Sequence, residues 1–402
     1  MSRNTVQPIS LARPPLHIRV VGLCTIVLLL EGYDIAAVGY AVPSLVDAWR
    51  VPRETFTMSL TAGNVGIVLG SLAAGLLGDR LGRKPVLVTC VTMFGVFSLA
   101  SAFSASPIQL ACLRLLTGLG LGGGIPVAIT LASDFAPTVS KGRLVMTTSV
   151  GVPIGFAVGG LLASQLVHTV GWPAIFAIGG AVPIAFSPVL MLRLPESHAF
   201  GTGPPQRNRL ASLYSHGLAV STVLIWAINF LSLLTTYLIL LWMPAVLHGA
   251  GASSAEASSA TSVYAFGLIA GILFMGSLVD GMGIERVLTF GLAFGALSLL
   301  AIGALGTRSW SLLALTFCAG FGGGSQGGIN ALSGLIYPPP IRATGAGWAL
   351  GLGRLGGIAG PLLGGLLLAH GHQVRQIFIM AVIPALAAMV LMIVLALVRR
   401  VP

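Results

Sequence analysis

An all-α integral membrane fold of twelve transmembrane helices, arranged as two pseudo-symmetric six-helix bundles, is the class this sequence predicts, on three observations. Of the 402 residues, 55% are hydrophobic and 8% charged, against roughly 25% charged in an average soluble domain. The apolar residues gather into runs of membrane-spanning length, about 20 residues each. The second half also repeats landmarks of the first. Asp79-Arg80-Leu81-Gly82 returns as Asp280-Gly281-Met282-Gly283 at an offset of 201, Gly118-Leu119-Gly120 as Gly320-Phe321-Gly322 at 202, and Pro183 as Pro384 at 201. Matched landmarks at a constant offset mark a duplicated membrane unit.

The spans of the first half are expected at 18–42, 55–77, 85–104, 108–133, 144–167 and 172–192. Those of the second are expected at 218–247, 257–279, 287–306, 309–335, 343–369 and 376–398. Lipid offers no partner to bare backbone groups, so each run must be a helix, and the weak alternation of barrel strands is not seen. The first run is too long for a signal-peptide core and runs straight into further membrane sequence, so it is expected to be retained. Residues 1–192 are the expected first bundle, 193–217 a polar linker, and 218–402 the second bundle. Gly151, Gly155 and Gly159, and again Gly356, Gly360 and Gly364, recur every fourth residue, a spacing that lets helix backbones approach closely.

Lys and Arg are shared unevenly between the two loop faces. Arg80, Arg83, Lys84, Lys141, Arg143, Arg193, Arg207 and Arg209 are among those on the face that carries both termini, whereas the other face has Arg50, Arg53, Arg308 and Arg375. The positive-inside rule makes the richer face cytoplasmic. The net charge of +11 then faces anionic head groups and gives no reason to invoke nucleic acid. Cys24, Cys90, Cys112 and Cys318 all fall within spans without a C-x-x-C or Cys/His cluster, so free, buried thiols and no metal are expected. No His-Glu-x-x-His, nucleophile elbow or phosphate loop occurs, so neither an enzyme nor a cofactor is expected.

Four charged residues sit deep within apolar runs: Glu31 and Asp34 in the first span, Arg114 in the fourth and Arg354 in the eleventh. A charge at the bilayer centre costs about 2.5–3.5 kcal/mol on insertion scales, so such residues face a cavity or a partner and mark a transport route. Arg354 lies some ten residues into its span, about 15 Å deep at 1.5 Å per residue. Glu31 and Asp34, three apart, share a helix face, and two carboxylates that close cannot both ionise cheaply, which suits a carrier of protons. A fixed salt bridge from Asp34 to Arg114 is the alternative use of that residue. Gln326 and Asn330, four apart, stand on one face and can bond a hydroxyl or carboxylate. Asn229, Tyr33 and Tyr237 are the further polar and aromatic candidates for the cavity wall.

Gly78-Asp79-Arg80-Leu81-Gly82-Arg83-Lys84, between the second and third spans, resembles the signature loop of the major facilitator superfamily, and Arg114-x-x-x-Gly118-x-Gly120-x-Gly122 resembles its fourth-helix motif. Glu31-Gly32-Tyr33-Asp34 is similar to the acid-Gly-x-Asp motif of the aromatic acid:proton symporters, with Glu where many members have Asp, as in the branch carrying hydroxyphenylpropionate-type acids. Leu194-Pro195-Glu196-Ser197, Trp242-Met243-Pro244, Gly353-Arg354-Leu355-Gly356 and Gly360-Pro361-Leu362-Leu363-Gly364-Gly365 extend the likeness.

This resemblance implies a monomeric secondary transporter of a bacterial inner membrane, taking up an aromatic carboxylate (hydroxyphenylpropionate, benzoate or hydroxybenzoate) with protons. The substrate carboxylate needs a cationic fork, which Arg354 supplies. Gln326, Asn330, Asn229, Tyr33 and Tyr237 would complete the substrate site, and Glu31, Asp34 and Arg114 would couple protons. Asp79, Arg83, Asp134, Arg143 and Glu196 would latch the cytoplasmic side in one state and release it in the other. An exporting antiporter and a transporter-derived receptor are the alternatives. In efflux members the Gly-Pro-x-x-Gly-Gly pattern occupies span five, whereas here it lies in span eleven.

Overall fold

The computed structural model describes residues 15–135, 137, 148–197, 211–214, 218–249, 251–305, 310–337 and 342–399. The first half forms α1 (Leu16–Trp49), α2 (Thr57–Leu81), α3 (Arg83–Ser101), α4 (Pro107–Phe135), α5 (Gly151–Thr169) and α6 (Pro173–Arg193). The second forms α7 (Ala219–Gly249), α8 (Ser254–Met282), α9 (Ile284–Leu305), α10 (Trp310–Gly323), α11 (Ser325–Leu335), α12 (Arg342–Ala369) and α13 (Val374–Val398). Among the described residues each expected span falls mainly on helix. Nine of the described helices are long and apolar enough to cross a membrane by length and composition alone.

Two departures have local causes. The tenth span is broken into α10 and α11 at Gly322-Gly323-Gly324, three poor helix formers in a row, and the Ser325 hydroxyl donates to the Gly322 carbonyl at 2.7 Å across the break. The first span runs on to Trp49, well past 42, and seats Leu45 in the core. Of the linker expected at 193–217, the described part includes a 3-10 turn, Ala211–Tyr214. Its Leu213 is buried, and the Leu213 carbonyl accepts the Thr222 hydroxyl at 2.9 Å. Cys24 and Cys90 are buried thiols, but Cys112 is exposed on the outer surface of α4 and Cys318 is half-buried, so the expectation of four buried thiols is corrected.

Packing repeats with the sequence. In the first bundle α2 lies on α4, α1 on α5, α3 on α6 and α3 on α4. In the second, α8 lies on α10, α7 on α12, α9 on α13 and α9 on α10. A methyl on Gly66 would strike the Leu115 carbonyl and one on Gly118 the Gly63 carbonyl. Their repeats, Gly267 and Gly320, face the Phe317 and Tyr264 carbonyls in the same way. Of the four-residue glycine rows, Gly155 and Gly356 meet backbone, of α1 and α7 respectively. Gly159 and Gly364 instead admit the rings of Tyr40 and Trp242.

The bundles meet along α1–α7, α5–α8 and α2–α12. These seams are tight on the face away from the termini. There Asp47 of α1 lies 3.4 Å from His248 of α7, Gly39 packs on Leu241, Gly160 on Ser258 and Ser262, and Gly365 on Thr57. Towards the termini, Gly347 of α12 has no atom within 4 Å of where a side chain would begin. Among the described residues the lobes are thus packed together at one face, while α12 is uncovered at Gly347 towards the other.

Candidate functional site

The four membrane-embedded charges all come to the inner surfaces of the bundles, but they are not alike. Asp34 is fully buried and Arg114 nearly so. Arg114 Nη1 donates to Asp34 Oδ2 at 3.0 Å and Nη2 to the Thr117 hydroxyl at 2.7 Å, while the guanidinium stands 5.1 Å from the Phe176 ring centroid. The Ser98 hydroxyl donates to Asp34 Oδ1. The pair forms part of the wall of a small cleft, with Ser59, Leu60 and Asn64 of α2 and Leu241 of α7. It thus opens on the seam between bundles.

Glu31, one turn earlier on α1, is also fully buried, yet neither carboxylate oxygen has a hydrogen-bond partner among the described residues. Its longer side chain reaches α4 at Gly124, while the shorter Asp34 stops at Arg114. The two acids share a face as expected, but each has its own neighbours. Arg354 of α12 is the cation whose field reaches Glu31.

Arg354 is half-buried and makes no ion pair or hydrogen bond among the described residues. It follows Gly353, where a methyl would stand 3.1 Å from the Asn229 side chain of α7, and lies a turn before Gly357, where one would stand 3.3 Å from the Asn64 amide oxygen of α2. Beside it α7 and α11 bring three amides together. Asn229 Nδ2 donates to the Ile225 carbonyl and to the Ser333 hydroxyl, each at 3.0 Å. This turns Asn229 Oδ1 towards Gln326, whose Nε2 donates to it at 3.2 Å and to Asn330 Oδ1 at 2.8 Å. Both Gln326 donors being committed, its Oε1 is left as a buried acceptor without a partner among the described residues.

The tyrosines differ. Tyr237 lies against Gly357 at the seam, and its hydroxyl has no partner among the described residues. The Tyr33 hydroxyl donates to the Ile175 carbonyl of α6 at 2.9 Å and its ring fills the hollow at Gly159 and Gly179, so Tyr33 braces the first bundle. The Trp242 indole likewise donates to the Pro361 carbonyl at 2.9 Å, tying α7 to α12.

Around the α2–α3 loop three of the expected charges, Arg83, Asp134 and Glu196, come together. Arg83 pairs with Asp134 at the end of α4, and the Ser197 hydroxyl donates to the same carboxylate. Glu196 Oε1 accepts the backbone N–H of Arg83 at 2.8 Å and of Lys84 at 3.2 Å. A carboxylate satisfies the orphan donors and positive end of a helix N-terminus better than it serves an exposed guanidinium. Gly82, at φ +96°, makes room, since a methyl there would sit 2.8 Å from Glu196 Oε2. The Asp79 side chain and Arg143 lie outside the described residues. Arg83 and Asp134 belong to the first bundle, and Glu196 and Ser197 to the segment that leaves its last helix. In the second, Glu285 of α9 pairs with Arg399 after α13, tying the corresponding joint.

Residues 24–228 and 225–402 each match the Major Facilitator Superfamily. The chain belongs to that superfamily. This member is 34% identical to the gallate transporter of Pseudomonas putida, covering 91% of this chain and 89% of that one. It is 37% identical to the 3-(3-hydroxy-phenyl)propionate transporter of Escherichia coli (strain K12), covering 87% of each. Its fold is similar to that of a bacterial homolog to the human lysosomal transporter Spinster in an inward-facing and occupied conformation, with a TM-score of 0.76, 17% identity and coverage of 95% and 97%.

Sequence reasoning missed four of the superfamily member's site neighbours. Asn64 carried a usable signal, an amide within an apolar span just as Asn229 is. Ser98 and Thr117 carried none, because hydroxyls in membrane helices are commonly absorbed by the carbonyl a turn back, as Thr117 also is by Leu113 at 2.8 Å. Gly124 is one glycine in a run of them, and only the position of Glu31 distinguishes it.

Proposed function

We propose that this transporter takes up aromatic carboxylates together with protons across a bacterial inner membrane, by rocking of the bundles about a central site. It works as a monomer with both termini in the cytoplasm. The observation that carries this reading is Arg354, a cation at the seam with no protein partner among the described residues, beside an amide cluster that holds a spare acceptor. An arginine fork offers a carboxylate two charge-assisted hydrogen bonds, and Gln326 Oε1 can accept from a ring hydroxyl. Asn229 and Asn330 hold that amide in place, and Tyr237 flanks the ring. Glu31 carries the proton, Asp34 with Arg114 couples its movement to the bundles, and Tyr33 fixes the helix that bears both acids. The names of the gallate and hydroxyphenylpropionate relatives support the substrate class. The Arg83, Asp134 and Glu196 network, joined by Asp79 and Arg143, steadies the cytoplasmic end of the first bundle as the lobes move.

Counterflow in proteoliposomes with benzoate, 4-hydroxybenzoate, gallate and 3-(3-hydroxyphenyl)propionate tests the assignment. Arg354→Ala should weaken binding about tenfold to a hundredfold, the equivalent of a charge-assisted contact of ~1.5–3 kcal/mol. Arg354→Lys should recover only part, because it keeps the charge and loses the fork. Unchanged affinity in Arg354→Ala would overturn the role of Arg354, and gradient-driven export in place of uptake would overturn the direction.

A further inference from the structure

The glycines of α4 do not all serve the same end. Gly118 and Gly122 face the carbonyls of Gly63 and Ile67, so any side chain there collides with the backbone of α2. At Gly124 the three atoms nearest to where a methyl would stand all belong to the carboxyl group of Glu31, with Oε1 occupying that very place and Oε2 at 3.5 Å. The space left by the missing side chain of Gly124 is filled by an acid, and by an acid to which nothing among the described residues donates a hydrogen bond. An ionised carboxyl is costly to bury bare, so a proton or a cation must reach it during the cycle. The other titratable groups about it are Cys90 of α3 and Arg354 of α12, while Asp34 is engaged by Arg114.

We infer that Gly124 is a positioning residue for proton coupling: its bare Cα forms the seat that holds the Glu31 carboxyl between α1 and α4. This rests on the reading of Glu31 as the proton carrier. A methyl at 124 meets no backbone closer than ordinary contact, so Gly124→Ala is accommodated by the fold and displaces only the acid. Aspartate at 31, shorter by one methylene, clears the same methyl. The pairing of Glu at 31 with Gly at 124 is therefore a matched choice, and the two positions compensate.

In proteoliposomes under an imposed inward proton gradient, with the four acids above as probes, Gly124→Ala should lower gradient-driven accumulation about tenfold or more, while counterflow without a gradient stays within about twofold. The double variant Glu31→Asp with Gly124→Ala should accumulate as well as Glu31→Asp alone. Independently of transport, mass spectrometry should find carbodiimide labelling of Glu31 altered severalfold in Gly124→Ala, and unchanged labelling overturns the inference. If Glu31→Gln abolishes accumulation and Gly124→Ala does not, the inference likewise fails. If Glu31→Gln accumulates normally, the proton role beneath it fails instead, and the labelling result alone decides whether Gly124 seats the carboxyl.

Discussion

Asp34 and Arg114 match opposite charges where bulk water scarcely reaches, and the energetics of that choice are asymmetric. Desolvating both groups offsets most of their attraction, whereas deleting one leaves its partner bare at a cost of about 3–5 kcal/mol. Arg114→Leu should therefore lower the thermal midpoint of the detergent-solubilised protein sharply, and the added change Asp34→Asn should restore much of it. No rescue by the added change, read by thermal unfolding, would show that an Asp34 left without Arg114 is not what destabilises the single variant. Residue identity told which side chains belong at the centre, because charge in a membrane span is rare enough to point at itself. It offered the Asp34–Arg114 salt bridge as an alternative, which the structure shows, but gave no sign that Glu31 would be left bare. That difference comes from a single methylene and from what stands opposite on α4, Arg114 in one case and a glycine in the other.

At the scale of elements the helices were legible from hydropathy alone, and the Gly118 and Gly320 landmarks turn out to mark helix contacts, joined by Gly66 and Gly267, which the sequence did not single out. Each such pair lets two backbones touch, and the contact is lost to any added side chain. Gly118→Val and Gly320→Val should each reduce the yield of folded, monodisperse protein severely, an overpacking cost of about 1–3 kcal/mol or more. Size-exclusion profiles that match the parent protein would refute the backbone contact. What hydropathy concealed was the break between α10 and α11. An apolar run reads the same whether its helix is continuous or interrupted, and only the three consecutive glycines hint at the interruption. The break carries Gln326 and Asn330 on a short helix of their own, so the amides are set by α11 rather than by the whole span. The loop charges were legible as a group but not as pairs, because a helix N-terminus competes with a guanidinium for Glu196 in a way no spacing reveals.

Across the whole molecule, the twofold design read from offsets of 201 and 202 residues reappears as paired seams: α5 on α8 mirrors α12 on α2, and α1 meets α7 near the axis. Which end of those seams is closed was not legible, since one sequence must be compatible with both arrangements of a rocking pair. Along α12 the contrast is sharp, with Gly365 and Gly357 resting on α2 while Gly347, two turns before Arg354 on the same face, rests on nothing. Gly347→Leu should therefore leave folding and acid binding intact yet slow turnover, about tenfold or more if closure limits the cycle. Wild-type counterflow rates from that variant would show that the bare stretch plays no part in motion.

That bare stretch has a consequence for how the machine resets. A lobe that swings shut needs a landing place with no furniture on it, and a side chain there acts as a doorstop, harmless while the door stands ajar. Substitutions at Gly347 would accordingly produce transporters that grip their cargo and hold it, and such stalled proteins are the ones best suited to trapping a bound acid for direct observation.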